Sequence, residues 1–129
     1  MQQFDYERLD VYGVALNFVV SADAIAQQAS RGHGDLADQI RRASTSILLN
    51  LAEGAGEYAV REKARFYRLA KRSATECAAL VEVCHRLQLI DAATHGDART
   101  TLLRLVSMLV RLVQSTESGD RRSSEGGYA

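Results

Sequence analysis

The sequence predicts an all-α protein, an antiparallel up-down-up-down bundle of four helices. Four stretches show helical periodicity, no stretch alternates as a strand does, and the 129 residues include no proline. Glycines near positions 33, 55 and 96 separate the stretches, and connections this short force each helix to run antiparallel to the one before it. We expect helices over about 6–29, 35–54, 59–90 and 97–116.

Length and composition predict one soluble domain. We expect the four-helix domain over residues 1–117, followed by a disordered tail rich in serine and glycine over 118–129. Hydrophobic residues make up 47% of the chain and charged residues 25%, as in ordinary globular proteins. No apolar run approaches the ~18 residues of a membrane span, and two cysteines cannot build a disulfide framework. These features predict a cytoplasmic protein with no membrane partner.

The first two predicted helices differ in how many apolar faces they carry. The second has one stripe, formed by Leu36, Ile40, Ala43, Ile47 and Leu51. The first has two nearly opposite stripes: Leu9, Tyr12, Leu16, Val19 and Val20, and Val11, Val14, Phe18, Ala22 and Ile25. A helix in a lone bundle needs only about 100–140° of apolar face. The first helix therefore has more apolar surface than one chain can cover.

The fourth predicted helix has a similar surplus. Nine apolar residues between 102 and 113 spread over about 220° of its circumference. Because an exposed apolar patch of this kind marks an interface, we expect a homo-oligomer that uses the outer faces of the first and fourth helices. The predicted interface residues are Val11, Phe18, Ile25, Leu105, Met108 and Leu112.

The third predicted helix carries a basic face. Arg61, Arg65, Arg68 and Arg72 lie within about 60° of one another, and segment 61–72 has a local charge of +5. With neighbouring basic residues, the nucleic-acid-binding candidates are Arg41, Arg42, Arg61, Lys63, Arg65, Arg68, Lys71 and Arg72. Tyr67 is the single aromatic expected on this surface, so we predict contacts to phosphates rather than stacking on bases.

Three segments of the chain share the pattern of a known family. They are Gln39-Ile40-Arg41-Arg42-Ala43 with Ser46-Ile47 and Asn50-Leu51-Ala52-Glu53-Gly54, the opening Phe4 … Leu9-Asp10-Val11-Tyr12 … Ala15, and Ala70 … Ser73 … Glu76. Together they resemble the 23S rRNA-intervening-sequence proteins, over about residues 4–114. That bacterial family is similar to the accessory variability protein of diversity-generating retroelements, a pentameric barrel that binds nucleic acid and a reverse transcriptase. The resemblance implies a four-helix bundle and a cyclic homopentamer.

Five polar residues of the family motif are candidates for a structural role, namely Gln39, Asn50, Glu53, Ser73 and Glu76. We expect an interhelical polar network that fixes helix register, with Asn50 partly buried and hydrogen-bonded. Glu53 and Glu76 also fit an acid–base pair, but neither a nucleophile nor a metal-ligand set accompanies them. We therefore predict a protein without enzymatic activity.

Cysteine and histidine positions predict neither a cofactor nor a metal site. Cys77 and Cys84 lie about 10 Å apart along one helix face, too far for a disulfide, and are expected to be buried thiols. His85 lies on another side of the third helix, and His33 and His95 fall in predicted loops. No residues show the spacing of a zinc motif.

Two hypotheses on function stay open. In the first, the chain is an oligomer that binds nucleic acid, RNA in preference to DNA, through backbone phosphates on the basic face. In the second, the chain is a homo-oligomeric scaffold for a protein partner and binds no nucleic acid. Acidic side chains of the first helix or of a neighbouring subunit would then balance the repulsion between the arginines.

Overall fold

The computed structural model describes residues 2–126, with side chains described through residue 119. This part of the chain contains one short 3-10 turn, Asp5–Arg8, and four helices: α1 (Asp10–Ala29), α2 (Gly34–Ala55), α3 (Val60–Arg86) and α4 (Ala92–Gly126). It contains no strand, so the predicted all-α, four-helix class is confirmed for the described residues. None of these helices combines the length and apolarity that crossing a membrane requires.

Each helix packs against the helix that follows it in the sequence. α3 and α4 run antiparallel, because His95 near the start of α4 contacts Glu82 late in α3, whereas Glu117 far along α4 contacts Arg68 earlier in α3. α2 packs against α3, and α1 packs against both α2 and α4. The α1–α4 contact closes the bundle.

The core is built from one face of each helix. The predicted α2 stripe is central, since Ile40, Ala43, Ile47 and Leu51 are all buried. The first helix turns one of its two stripes inward, and the fourth contributes a narrow leucine row. These core residues are Val11, Ala15, Phe18, Ala22 and Ile25 of α1 and Leu102, Leu105 and Leu109 of α4.

This packing corrects part of the predicted subunit interface. Val11, Phe18, Ile25 and Leu105 are buried within the single chain. The prediction that these four residues form an interface is therefore wrong, because a side chain that fills the core of its own subunit has no surface left for a second one. Periodicity shows that α1 has two apolar stripes but does not show which of them faces inward. Met108 and Leu112 are half-buried and stay candidates.

The turn between α3 and α4 lies earlier than the sequence predicts. α3 ends at Arg86 because Gln88 adopts a left-handed conformation, with φ 61°. The Leu89 amide then donates to the Cys84 carbonyl at 2.9 Å, and the Gln88 amide donates to the His85 carbonyl at 3.0 Å. This pair of bonds is a Schellman motif, which glycine usually marks in a sequence, and here glutamine takes that position.

The start of α4 is set by Asp91. Its Oδ1 accepts a hydrogen bond from the Thr94 amide at 2.7 Å, which is the arrangement of an N-cap. The same bond holds the pKa of Asp91 below its ordinary value. α4 consequently begins at Ala92, and His95 lies in its first turn rather than in a loop.

At its other end, α4 continues to Gly126, well beyond the predicted end near 116. Residues 127–129 of the predicted disordered tail lie outside the described residues. Disorder over 118–129 stays a prediction.

Candidate nucleic-acid interface

The basic face defined by the eight candidate residues lies mostly on the surface. On α3, Arg61, Arg65, Arg68, Lys71 and Arg72 are all exposed. On α2, Arg42 is exposed and Arg41 is half-buried. Most of the basic face lies on the surface of α3, and its eight members differ in what they contact.

Lys63 has a structural role. Its Nζ donates to the carbonyl oxygens of Gly54 at 2.9 Å and Ala55 at 3.1 Å, in the last turn of α2. Carbonyls at a helix C-terminus have no partner within the helix, and the helix dipole makes this end attractive to a cation. Lys63 is half-buried by these contacts, so we assign it to the α2–α3 joint rather than to the interface.

Three arginines of the basic face are paired with acids. Arg65 binds Glu62 through two guanidinium nitrogens, both at 3.0 Å. These bonds raise the pKa of Arg65 and hold that of Glu62 below its ordinary value. The Arg65 guanidinium carbon also lies 4.6 Å from the Phe66 ring centroid. Its partner is a residue of its own helix, so the pair neutralises one charge locally.

The other two pairs join different helices. Arg68 Nη1 lies 2.9 Å from Glu117 Oε1 of α4, and Arg41 Nε lies 2.9 Å from Asp23 Oδ1 of α1. All four side chains stay about half-exposed. Exposed ion pairs contribute only about 0–1 kcal/mol, so a phosphate could displace these carboxylates at small cost.

The remaining four members have no acidic partner among residues 2–119. Among residues 2–119, no acidic side chain lies within 4.0 Å of the charged groups of Arg42, Arg61, Lys71 or Arg72. Arg61 and Arg72 stand at the two ends of the α3 stripe. Among residues 2–119, these four side chains are the members of the basic face that no carboxylate holds.

Aromatic residues near this face are not where the sequence predicts them. Tyr67 is buried, with 2% exposure, so its expected place on the surface is wrong. Its ring packs on Gly54, where an added Cβ would lie 2.7 Å from Tyr67 Cε1. Tyr58, in the connection before α3, is instead fully exposed.

Only part of the predicted polar network forms. Asn50 is half-buried, and its Nδ2 donates to the Ser46 carbonyl at 2.9 Å and to Ser46 Oγ at 3.1 Å. Ser46 Oγ in turn lies 2.9 Å from Ser73 Oγ, which links α2 to α3. Ser46 belongs to the family motif but is absent from the predicted set.

The other three predicted members of the network stand apart. Gln39, Glu53 and Glu76 are exposed, and none makes a side-chain hydrogen bond within the described residues. Helix periodicity placed them on α2 and α3 but could not show that their side chains point away from the helix contact.

The two cysteines are free and buried, as predicted. Burial raises the pKa of Cys77 to about 12, with a smaller contribution from the Glu76 carboxylate, and burial also raises the pKa of Cys84. A thiol held in its neutral form is a poor nucleophile. Neither cysteine is suited to covalent catalysis.

One polar cluster was missed by the sequence analysis. His95 Nε2 lies 2.8 Å from Glu82 Oε2, and the rings of His85 and His95 stack with centroids 3.9 Å apart. Glu82 also accepts a hydrogen bond from Arg86 Nε at 3.4 Å, and its pKa is lowered by the His95 bond first and the Arg86 bond second. The signals that could have found it are the Glu82-x-x-His85 spacing and the Asp91 cap.

A cavity of about 240 Å³ adjoins this cluster, between α3 and α4. Its polar lining residues are Thr75, Glu82, His95 and Arg99. The rest of its wall is mainly apolar, from Ala78, Val81, Leu102, Leu103 and Val106.

Comparison with known proteins agrees with this fold. A family model described as 23S rRNA-intervening sequence protein matches residues 7–111. The chain belongs to this family. A solved protein of unknown function from the S23 ribosomal protein family of Bacteroides thetaiotaomicron is similar in structure, with a TM-score of 0.75 and 18% sequence identity. The similarity covers 81% of this chain and 95% of the solved one, and at this identity it bears on the fold alone. No curated protein sequence matches the chain.

Proposed function

We propose that this family member is a non-enzymatic, cytoplasmic homo-oligomer that binds nucleic acid, RNA in preference to DNA, through the basic face of α3. The observation that carries the proposal is the set of exposed basic side chains without acidic partners among residues 2–119, namely Arg42, Arg61, Lys71 and Arg72. Their charge is free to neutralise phosphates and release counterions, which is the main source of sequence-independent affinity.

The paired arginines of α3 would bind phosphate once it displaces their carboxylate partners. Arg65 and Arg68 lie between Arg61 and Arg72 on the same helix face, and their carboxylate partners are half-exposed. A nucleic-acid backbone lying along the stripe would exchange these carboxylates for phosphates. Tyr58, fully exposed before α3, adds one aromatic surface on which an unpaired base could stack. Stacking of this kind favours single-stranded RNA over duplex DNA.

Oligomer formation is supported by apolar side chains left on the outside. Leu16 and Val20 of α1 and Leu103 of α4 are exposed, at 40%, 69% and 59%. They belong to the outer faces of the two helices that carry surplus apolar surface. We propose a ring of five subunits, in which one such face packs against a different face of the next subunit, since a heterologous contact closes into a ring when its rotation permits.

The decisive experiment compares two double variants in RNA binding. R61A/R72A removes two unpaired arginines of the stripe, whereas R8A/R31A removes two exposed arginines outside it that also have no acidic partner among residues 2–119. Fluorescence anisotropy with labelled single-stranded RNA and duplex DNA measures affinity across a series of salt concentrations. The two variants lose equal charge, so a difference between them reports position rather than net charge.

We expect R61A/R72A to weaken RNA binding and to flatten the slope of log affinity against log salt by about 1.5, because each lost phosphate contact removes about 0.7–0.9. R8A/R31A should keep the wild-type slope. Equal effects of the two variants, or no binding of either nucleic acid by the wild-type protein at low salt, would favour the protein-scaffold hypothesis.

A further inference from the structure

The described residues contain one cluster of potential metal ligands, formed by Glu82, His85 and His95. Each offers one ligand atom, and these atoms lie within 4.8 Å of one another. It is the one group of three or more histidine, cysteine or acidic side chains in the described part of the chain that comes this close together. Two of the three histidines of the protein are in it.

Two helices hold the three side chains in place. Glu82 and His85 are three residues apart near the end of α3, so they lie on one face of that helix. The Schellman turn at Gln88 and the Asp91 cap then start α4 early enough for His95 to meet them. The cluster therefore depends on backbone geometry that is itself fixed by hydrogen bonds.

The contacts within the protein satisfy these groups only in part. Glu82 and His95 bind each other, but His85 makes no side-chain hydrogen bond among the described residues and only stacks on the His95 ring. Its ring nitrogens are thus available to a ligand, and the half-buried position of the ring keeps it beside the other two side chains.

We propose that Glu82, His85 and His95 bind a divalent transition-metal ion of the zinc type. Two imidazoles and one carboxylate are a ligand set that zinc accepts, with the fourth position left to water or a small anion. The cavity of about 240 Å³ beside Glu82 and His95 gives that fourth ligand room. Magnesium and calcium prefer oxygen ligands throughout, so this set selects against them.

Binding requires a modest movement of side chains. Zinc–nitrogen and zinc–oxygen bonds are about 2.0–2.2 Å long, so two ligand atoms on one ion lie at most about 4.3 Å apart. The ligand atoms lie within 4.8 Å, and the two rings are parallel to within 7°. The ion must therefore turn at least one imidazole out of the stack, which the partial exposure of His85 allows.

Nearby charges moderate the affinity. Arg86, whose side chain is highly exposed, forms an ion pair with Glu82. Arg99 lines the cavity beside Glu82 and His95. The C-terminus of α3 attracts a cation, whereas the N-terminus of α4 repels one. We expect weaker binding than at structural zinc sites with four protein ligands.

The test titrates the full-length protein with zinc chloride against a chromophoric chelator. His85→Gln and His95→Gln each remove one proposed ligand, and His33→Gln, at the start of α2, is the matched control. We expect one zinc per chain in the wild type and in His33→Gln, and affinity lower by at least about tenfold in each of the other two. Magnesium chloride should not compete.

Thermal unfolding gives a second readout. Zinc should raise the melting temperature of the wild type and of His33→Gln but not of the two ligand variants, because a ligand stabilises only the state that binds it. His85→Gln breaks no side-chain hydrogen bond of the described residues, so it keeps the test valid even if His95→Gln unfolds. The proposal is overturned if the wild type binds no zinc at tens of micromolar, or if His85→Gln binds it as the wild type does.

Discussion

At the scale of single residues, burial and pairing separate side chains that look equivalent in the sequence. Arg61 and Arg65 are one helical turn apart in the same stripe, yet Arg65 is held by Glu62 and Arg61 has no acidic partner among residues 2–119. Lys63 lies between them in sequence and caps α2 instead. Function assigned to a basic stripe therefore belongs to particular members of it.

The two thiols give a residue-scale prediction. We expect iodoacetamide at about pH 8 to label neither Cys77 nor Cys84 in the native protein and both in denaturant, because only an accessible thiolate reacts. Since burial raises the pKa of Cys77 to about 12, its native reactivity should rise only as the pH approaches that value rather than near the ordinary 9.0. Mass spectrometry counts the labels, and rapid labelling of the native protein would contradict the burial.

At the scale of helices, one close approach sets the distance between α2 and α3. The missing side chain of Gly54 lets the Tyr67 ring pack directly on the α2 backbone, since a Cβ there would lie 2.7 Å from one ring atom and 2.8 Å from another. Lys63 reaches the same turn of α2. Farther along, the Ser46–Ser73 contact holds the two helices in register.

The close approach at Gly54 reverses the usual effect of a glycine-to-alanine change. In an open helix, Gly→Ala stabilises by roughly 0.5–1 kcal/mol, and we expect this at Gly13 of α1, where an added Cβ meets no atom within 4 Å. Gly54→Ala should instead destabilise by about 1–3 kcal/mol, because the buried Tyr67 ring must shift. Urea unfolding followed by circular dichroism measures both.

The pair of variants separates packing from helix propensity. Stabilisation of both variants by similar amounts would show that the Tyr67 ring has room to move and that Gly54 does not set the helix separation.

At the scale of the whole molecule, the bundle leaves apolar side chains outside its core. The inward stripe of α1 fills the core, so its second stripe, which includes Leu16 and Val20, faces outward. Leu103 does the same on α4. Scattered apolar side chains are ordinary on a protein surface, but two on one helix face, four residues apart, fit a contact between subunits.

Val20→Asp tests this contact. A charge at a buried subunit contact is costly when it has no partner, so we expect the variant to lower the molar mass measured by light scattering to that of a smaller species. Leu49→Asp is the matched control, because Leu49 is equally apolar and exposed but lies on α2. A monomeric wild type at tens of micromolar, or an unchanged mass for Val20→Asp, would contradict the proposed ring.

The amino-acid sequence alone was enough to predict the class of fold, the number of helices and the central position of the α2 stripe. These properties depend on local periodicity and on the absence of proline, which each segment carries independently of the others. The family resemblance also lies in the sequence, since the matched segment covers residues 7–111. The early start of α4 was missed because a glutamine, rather than a glycine, ends α3.

Tertiary structure decided everything that depends on the register between helices. It determined which stripe of α1 faces inward, that Arg68 meets Glu117, and that His95 meets Glu82. Residues far apart in sequence come together only when the lengths of the helices and turns place them at the same level along the bundle axis. Periodicity within one helix carries no information on that level. The candidate metal site and the unpaired part of the basic face are therefore properties of the folded bundle.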